Sequence, residues 1–392
     1  KGHGIDEQLN LYESLGLLIG SEGIPYEKTL QFLEGLAAPL LSHMQLIVQS
    51  GALTNNNEKV AEVGNVVANQ ISFLAYITKG FNTTLIPMGP SMGVANGTKP
   101  EKRDIGDVFL KIMGVILSVL EVGKHQSSIR EKTILFLHRM IDLLGDTIMP
   151  YIPKITIALL EVSAITDMPK AIRIPMQMAK KVKSQAVPCI SELFIPVVTR
   201  VFELTGVEAL TRQNNVFSEE VRQHAELLRS YYHMLYCFVN AKCSAALICP
   251  TNRPQLDNVL RTVIQGCVTH PELDIAKICF QIFGEMVKEW HSMDGFQKYM
   301  YDTVLPTSFD TILHPQFDPR DAKANNISLE IANLHKAMLV AYETTFLQVM
   351  DTIISRMVPD KNACMQFISQ LQNAPPKTYK NCLRDLVYLK RG

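Results

Sequence analysis

Residues 253–290 constrain the fold more than any other stretch, because they spell two amphipathic helices with almost nothing between them. Pro254 suits a first helical turn, where its missing N–H is not needed. Leu256, Val259, Leu260, Val263, Ile264, Cys267 and Val268 recur at three- and four-residue steps and so share one face. Thr269 and Glu272 have capping-box spacing, with Pro271 between them. Ala276, Cys279, Phe283, Val287 and Trp290 then draw a second stripe at the same period. A connection this short packs the two helices antiparallel. Neither helix can bury its stripe alone, so the pair needs further pairs on either side.

The same grammar extends along the chain. Breaks at Gly23–Pro25 and at Pro315 and Pro319, and the Pro375–Pro376 step, separate helical patterns. One helix is expected over 322–344 and another from Phe346 to Met357. Leu11, Leu15, Leu18 and Ile19, then Phe32, Leu36, Leu40 and Met44, are expected to face inward in a first pair. Apolar residues followed by proline (Ala38-Pro39, Met149-Pro150, Ile195-Pro196, Leu305-Pro306) read as helix openings. The interval from Pro150 to Pro196 matches the length of one HEAT repeat, about 40–47 residues. The expected fold class is all-α: a superhelical solenoid of antiparallel helix pairs, about 14 to 17 helices, with residues 1–392 as one array.

Composition excludes several alternatives. The chain is 392 residues long, 47% hydrophobic and 19% charged, in keeping with a large continuous core. The formal net charge is +0, so any nucleic-acid contact must come from local patches. The eight cysteines form no CxxC pair and read as small packed hydrophobes of a reducing compartment. Cys237, Cys243 and Cys249 are six apart, wider than zinc pairs usually are, so no metal and no cofactor is expected. The charge-free run 35–57 is interrupted by Pro39 and polar residues, and no membrane insertion is expected from it. With no initiator Met and no signal peptide at Lys1, the chain is expected to begin within a longer protein.

Residues 83–103 carry Pro87, Gly89, Pro90, Gly93, Gly97 and Pro100, and are expected to form a flexible loop. Gly89-Pro90-Ser91-Met92-Gly93 formally matches a hydrolase nucleophile elbow. The elbow needs a helix directly after the serine, and Val94–Thr98 supplies none. Without a P-loop, dinucleotide fingerprint or nucleophile–base pair, the chain reads as a binding protein and not an enzyme.

Two basic stripes are the candidate sites. Residues 168–191 contain no acidic residue but carry Lys170, Arg173, Lys180, Lys181 and Lys183. On a helix starting near Pro175, Gln177, Lys180, Lys181, Lys183 and Ser184 share one side. On the last helix Lys377, Lys380, Arg384, Tyr388 and Arg391 form a second stripe, opposite a seam of Tyr379, Cys382, Leu386 and Leu389. Both stripes also fit solvated faces, and terminal cations serve the helix dipole.

TVIQGCV from Thr262, HPE from His270 and AKICFQIFGEMVKEW from Ala276 resemble the exportin-T family of the importin-β superfamily. YESLGLLI from Tyr12, FLHRMI from Phe136, IMPYIP from Ile148 and RSYYHMLYCF from Arg229 add to the resemblance in the family's order. It corresponds to the family's carboxy-terminal portion. The resemblance implies a nuclear export receptor for tRNA that works with Ran–GTP, largely through an amino-terminal part, passes nuclear pore proteins, and shuttles between nucleus and cytoplasm. It also implies that Arg173, Lys180, Lys181, Lys183, Lys377, Lys380, Arg384 and Arg391 are candidates for the tRNA backbone. From the residues alone, a HEAT-repeat adaptor or transport receptor with a protein cargo remains the alternative.

Overall fold

A computed structural model describes residues 4–54, 59–82, 104–206, 219–268 and 273–391. The stretch 83–103, with Ser91, and the expected cap at Thr269 and Glu272 lie outside the described residues. The described chain is helical, with no strand among the described residues. It forms two compact units, 1–197 and 198–392, each an array of packed helices.

The first unit contains α1 (Ile5–Ile19), α2 (Tyr26–Gln49), α3 (Val60–Ile77), α4 (Ile105–Gly123), α5 (Ser127–Leu144), α6 (Ile152–Val162) and α7 (Met168–Val182). Helix α8 (Val187–Thr205) straddles the division. Helices α1, α3, α5 and α7 lie side by side in one layer, and α2, α4 and α6 in another. This is solenoid layering: each pair touches the next, and its stripe is buried by its neighbours.

The first pair buries Ile19, Leu40 and Met44 as expected. Leu11, Leu18 and Phe32 are exposed against expectation, and Gly16, Leu33 and Ala37 face inward. In α1 glycine sets the inward face. A Cβ on Gly16 would lie 2.2 Å from the Ile77 carbonyl oxygen, and one on Gly80 1.9 Å from that of Gly16. Only bare backbones approach this closely, so α1 turns its glycine edge, and not its leucines, to α3. Two of the expected helix openings also differ: Pro39 and Pro196 lie inside α2 and α8. Pro306 does open a helix, and Pro150 sits in the 3-10 turn just ahead of α6.

A largely buried ion pair locks consecutive turns. Arg130, at the start of α5, donates to the carbonyls of Lys124 (2.9 Å) and His125 (3.1 Å) and to Asp167 (2.6 Å) before α7. The stretch Ser127–Val162 is apolar and long enough to cross a membrane by composition, but over half of its apolar window is buried inside the protein. It is two core helices joined by a 3-10 turn at Gly145–Tyr151.

The second unit contains α9 (Glu219–Asn240), the short α10 (Ala245–Ile248), α11 (Arg253–Val268), α12 (Leu273–Trp290), the short α13 (Phe296–Tyr299), α14 (Leu305–Leu313), α15 (Ala322–Met357), α16 (Lys361–Asn373) and α17 (Pro376–Arg391). Helices α9, α12, α15 and α17 follow one another in one layer, with α11 and α14 opposite. The hairpin 253–290 is α11–α12, with Val259, Val263, Cys267, Cys279, Phe283 and Val287 buried as expected.

One backbone device recurs at helix junctions. Helix α5 ends at Gly145 (φ 57, ψ −120), α7 at Lys183 (φ 54, ψ −135) and the first half of α15 at Glu343 (φ 44, ψ −119). Two of the three are not glycine, which costs about 1–3 kcal/mol each. The chain turns at these residues and starts the next helix at once.

A polar cluster sits inside the apolar core where α14, α15 and α17 meet. Fully buried His335 lies 2.9 Å from Ser308 Oγ through Nε2 and 3.0 Å from the Tyr379 hydroxyl through Nδ1. Ser308 donates its own proton to the Leu305 carbonyl, so Nε2–H donates to Ser308 and the Tyr379 hydroxyl donates to Nδ1. Burial holds His335 neutral and lowers its pKa from 6.5 to about 3.

Two measurements follow. Arg130→Ala should destabilise the first unit by about 2 kcal/mol, since Asp167 is left without its cation in a partly buried site; urea denaturation reads this out. For His335, the unfolded chain binds the proton more tightly than the folded one. Stability therefore falls as pH drops from 6.5 towards 3, by about 2 kcal/mol at pH 5. His335→Gln should remove that component, seen as a shallower acid slope in denaturation at pH 5 to 7.

Candidate functional site

The first stripe rides on α7, which begins at Met168 and not near Pro175 as expected. Pro169 occupies the first turn, where a proline is accommodated. Ala171, Ile172, Ile174, Pro175, Met178 and Ala179 are buried. Pro175 costs the helix one backbone hydrogen bond. Its buried ring gains core packing in return, so the helix runs through it.

The outer face presents Arg173, Lys180 and Lys181, all exposed and without an ion-pair partner among the described residues. Lys183 is exposed too, at the strained junction after α7. Arg173 and Lys180 are seven residues apart, two helical turns, so they stand on one line about 10 Å apart.

Gln177, expected beside the lysines, is instead half-buried against α5. Its Nε2 donates to the His138 carbonyl (3.0 Å) and to Asp142 Oδ1 (2.6 Å). Lys170 is neutralised by Glu131 of α5 at 3.5 Å. The segment that is free of acids in sequence therefore has two carboxylates brought to its flank. Sequence reasoning also missed Lys132 and Arg139 of α5, half-buried and exposed respectively, and without an ion pair among the described residues. They lie between Glu131 and Asp142 and seven residues apart, so no charge run marks them.

The second stripe, on α17, is weaker than expected. Lys377 is exposed and Lys380 half-buried. Arg384 is exposed with Asp385 3.7 Å away. The Arg391 side chain lies outside the description. Tyr388 is exposed, as expected of the stripe, but Leu389 is exposed as well. The packed seam is Tyr379, Leu383, Leu386 and Val387. Tyr379, inward as expected, is hydrogen-bonded to His335. The two stripes fall in different units.

Other chemistry is sparse. Among the described residues, no group of three or more His, Cys, Asp or Glu side chains could hold a metal. Cys237 and Cys243 are buried and Cys249 half-buried, all as free thiols. A groove of about 650 Å³ between α9, α12 and α15 has a floor of Phe280, Gly284 and Leu334 and a rim of Tyr236, Glu285 and Glu330. Burial raises the Tyr236 pKa, and the two carboxylates raise it further.

Comparison with known proteins decides the family. The Exportin-T family model matches residues 2–391. The chain belongs to the Exportin-T family. It is 27% identical over 402 residues to Exportin-T of Dictyostelium discoideum, covering 99% of this chain and 36% of that protein. It is 24% identical to Exportin-T of Arabidopsis thaliana, covering 98% of this chain and 38% of that one. Exportin-T of Homo sapiens is also 24% identical, covering 99% and 39%. This Exportin-T family chain thus spans less than two-fifths of the length of these curated relatives. Among solved structures, Importin13 in its cytosolic state matches with a TM-score of 0.61 over 100% of this chain and 41% of that one, at 13% identity. That likeness concerns the fold: a karyopherin-type helical solenoid.

The geometry separates paired from unpaired cations, which immobilised heparin can measure as a generic polyanion. Lys180→Ala combined with Lys181→Ala should elute at clearly lower salt than the parent protein. Lys170→Ala should shift elution less than the double replacement, because it removes one charge and not two, from a lysine already engaged with Glu131.

Proposed function

We propose that this chain is the cargo-contacting arc of a nuclear export receptor that carries tRNA out of the nucleus with Ran–GTP. The observation that carries the reading is the Exportin-T match across residues 2–391. Ran–GTP is held mainly by parts of the longer receptor beyond this arc, and the receptor passes nuclear pore proteins as it shuttles between nucleus and cytoplasm. The chain acts by binding, not by catalysis.

The surface chemistry suits such a cargo. Transfer RNAs share an A-form shape but not a sequence, so a receptor for all of them reads phosphates and 2′-hydroxyls. Exposed Arg173, Lys180, Lys181 and Lys183 on a chain of net charge +0 form a local patch of that kind. Lys377, Lys380, Arg384 and Arg391 make a second, in which Asp385 competes for Arg384. Phosphate contacts give affinity without base preference.

The test uses the full-length receptor with Ran–GTP. Replacing Lys180, Lys181 and Lys183 together by alanine should weaken several different tRNAs alike. The slope of log affinity against log salt should flatten by roughly 0.7–0.9 for each phosphate that the protein no longer neutralises. Helix content by circular dichroism should not change. Unaltered affinity and slope would show the stripe to be a solvated face. Salt-insensitive binding of a protein ligand instead would favour the adaptor reading, with the groove between α9, α12 and α15 as its seat.

A further inference from the structure

Directly after the α7 cations the chain offers a free hydroxyl. Residues Lys183–Ala186 form a single 3-10 turn between α7 and α8, and Lys183, Ser184 and Gln185 are all exposed. The turn exists because Lys183 adopts φ 54 and ψ −135. That conformation stops the α-helical ladder, with the Lys183 N–H closing on the Ala179 carbonyl, and turns the next residues outward.

Neighbouring serines are engaged in their own helices. Ser163 donates to the Leu159 carbonyl (2.6 Å) and Ser191 to that of Val187 (2.7 Å). The Ser184 hydroxyl has no partner among the described residues. Lys181 and Lys180 precede it by three and four positions. Positive charge clustered on the amino-terminal side of a serine is the kind of substrate charge pattern that kinases use to select targets.

We propose that Ser184 is a phosphorylation site and that its phosphate switches off the α7 cation patch. The inference rests on the reading of that patch as a tRNA-backbone surface. In the reaction the Ser184 Oγ attacks the γ-phosphorus of ATP, and the bond from that phosphorus to the β–γ bridging oxygen breaks. ADP leaves, and the serine proton passes to the kinase's catalytic base. The product adds a charge of about −1.5 to −2 beside Lys180, Lys181 and Lys183. That offsets about two of the four positive charges that Arg173 and the three lysines provide. It also places three acceptor oxygens where they compete with RNA phosphates for the same ammonium groups. A charge change of this size at one point needs no movement of α7 or α8.

The experiment has two arms. In the first, phosphoserine is installed at position 184 of the full-length receptor during translation, and tRNA binding with Ran–GTP is measured across salt concentrations. Affinity should fall about tenfold near physiological salt, and the salt slope should flatten by roughly 1.4–1.8, the equivalent of two phosphate contacts. Ser184→Ala should bind as the parent does. On a background with Lys180, Lys181 and Lys183 all replaced by alanine, the phosphate should add little further loss. If the triple replacement weakens binding but phosphoserine does not, the switch is wrong while the cation patch stands. If the triple replacement itself changes nothing, the patch reading fails and the switch with it.

In the second arm, purified receptor is incubated with ATP and, in separate reactions, each of a panel of purified serine kinases that select basic residues on the amino-terminal side of the serine. Peptide mapping should find phosphate on Ser184, and much less when Lys180 and Lys181 are alanine. Absence of phosphate from Ser184 in the parent protein overturns the modification.

Discussion

A pair of amphipathic helices has two apolar flanks, and each can be buried only against another pair. That constraint governs both units. It places α1, α3, α5 and α7 in one layer with α2, α4 and α6 in the other, and repeats the arrangement with α9, α12, α15 and α17. In such an array stability comes from contacts between neighbours. The turns are therefore part of the packing. Arg130 shows how: one guanidinium satisfies two carbonyls of its own turn and the carboxylate of the next. Two successive pairs are held in fixed register by a single side chain.

Junctions between helices impose a second constraint, which reaches the surface. Gly145, Lys183 and Glu343 share nearly the same backbone conformation, although two of them carry side chains that disfavour it. Such outliers persist where the surrounding structure over-determines them. At Lys183 the packing of α7 on α5 and the immediate start of α8 leave the chain no other route. One consequence is that Lys183 and Ser184 project from a tight turn beside the outer face of α7. The regulatory reading depends on that placement.

Electrostatics here is decided by neighbours and not by composition. The chain is neutral overall, and its cations differ mainly in what faces them. Lys170 meets Glu131 and Arg384 meets Asp385, whereas Arg173, Lys180 and Lys181 meet no carboxylate among the described residues. A surface receptor for phosphates needs the second kind, since a paired lysine must first give up its partner. In the second unit the same principle works inside the core. His335 takes one hydrogen bond from Tyr379 and gives one to Ser308, so three helices share a satisfied polar centre in apolar surroundings.

The sequence by itself determined the class of fold, the helix pairs and much of the core. Apolar residues at three- and four-residue steps leave few alternatives, as the hairpin 253–290 and the break near Glu343 show. It also carried the family, through separated strings such as TVIQGCV and RSYYHMLYCF. Periodicity could not say which of two adjacent faces turns inward. In α1 that was decided by Gly16 meeting the backbone of α3 around Ile77, which left Leu11 and Leu18 outside. In α17 the packed seam is Tyr379, Leu383, Leu386 and Val387, which leaves Leu389 outside. Nor could an acid-free segment reveal Glu131 and Asp142 on its flank, or the unpaired Arg139 beside them. Local spacing fixes what a helix is, because its hydrogen bonds run within four residues. Which cations remain free depends on side chains that lie far along the chain, as Glu131 does from Lys170, and only tertiary packing brings those together.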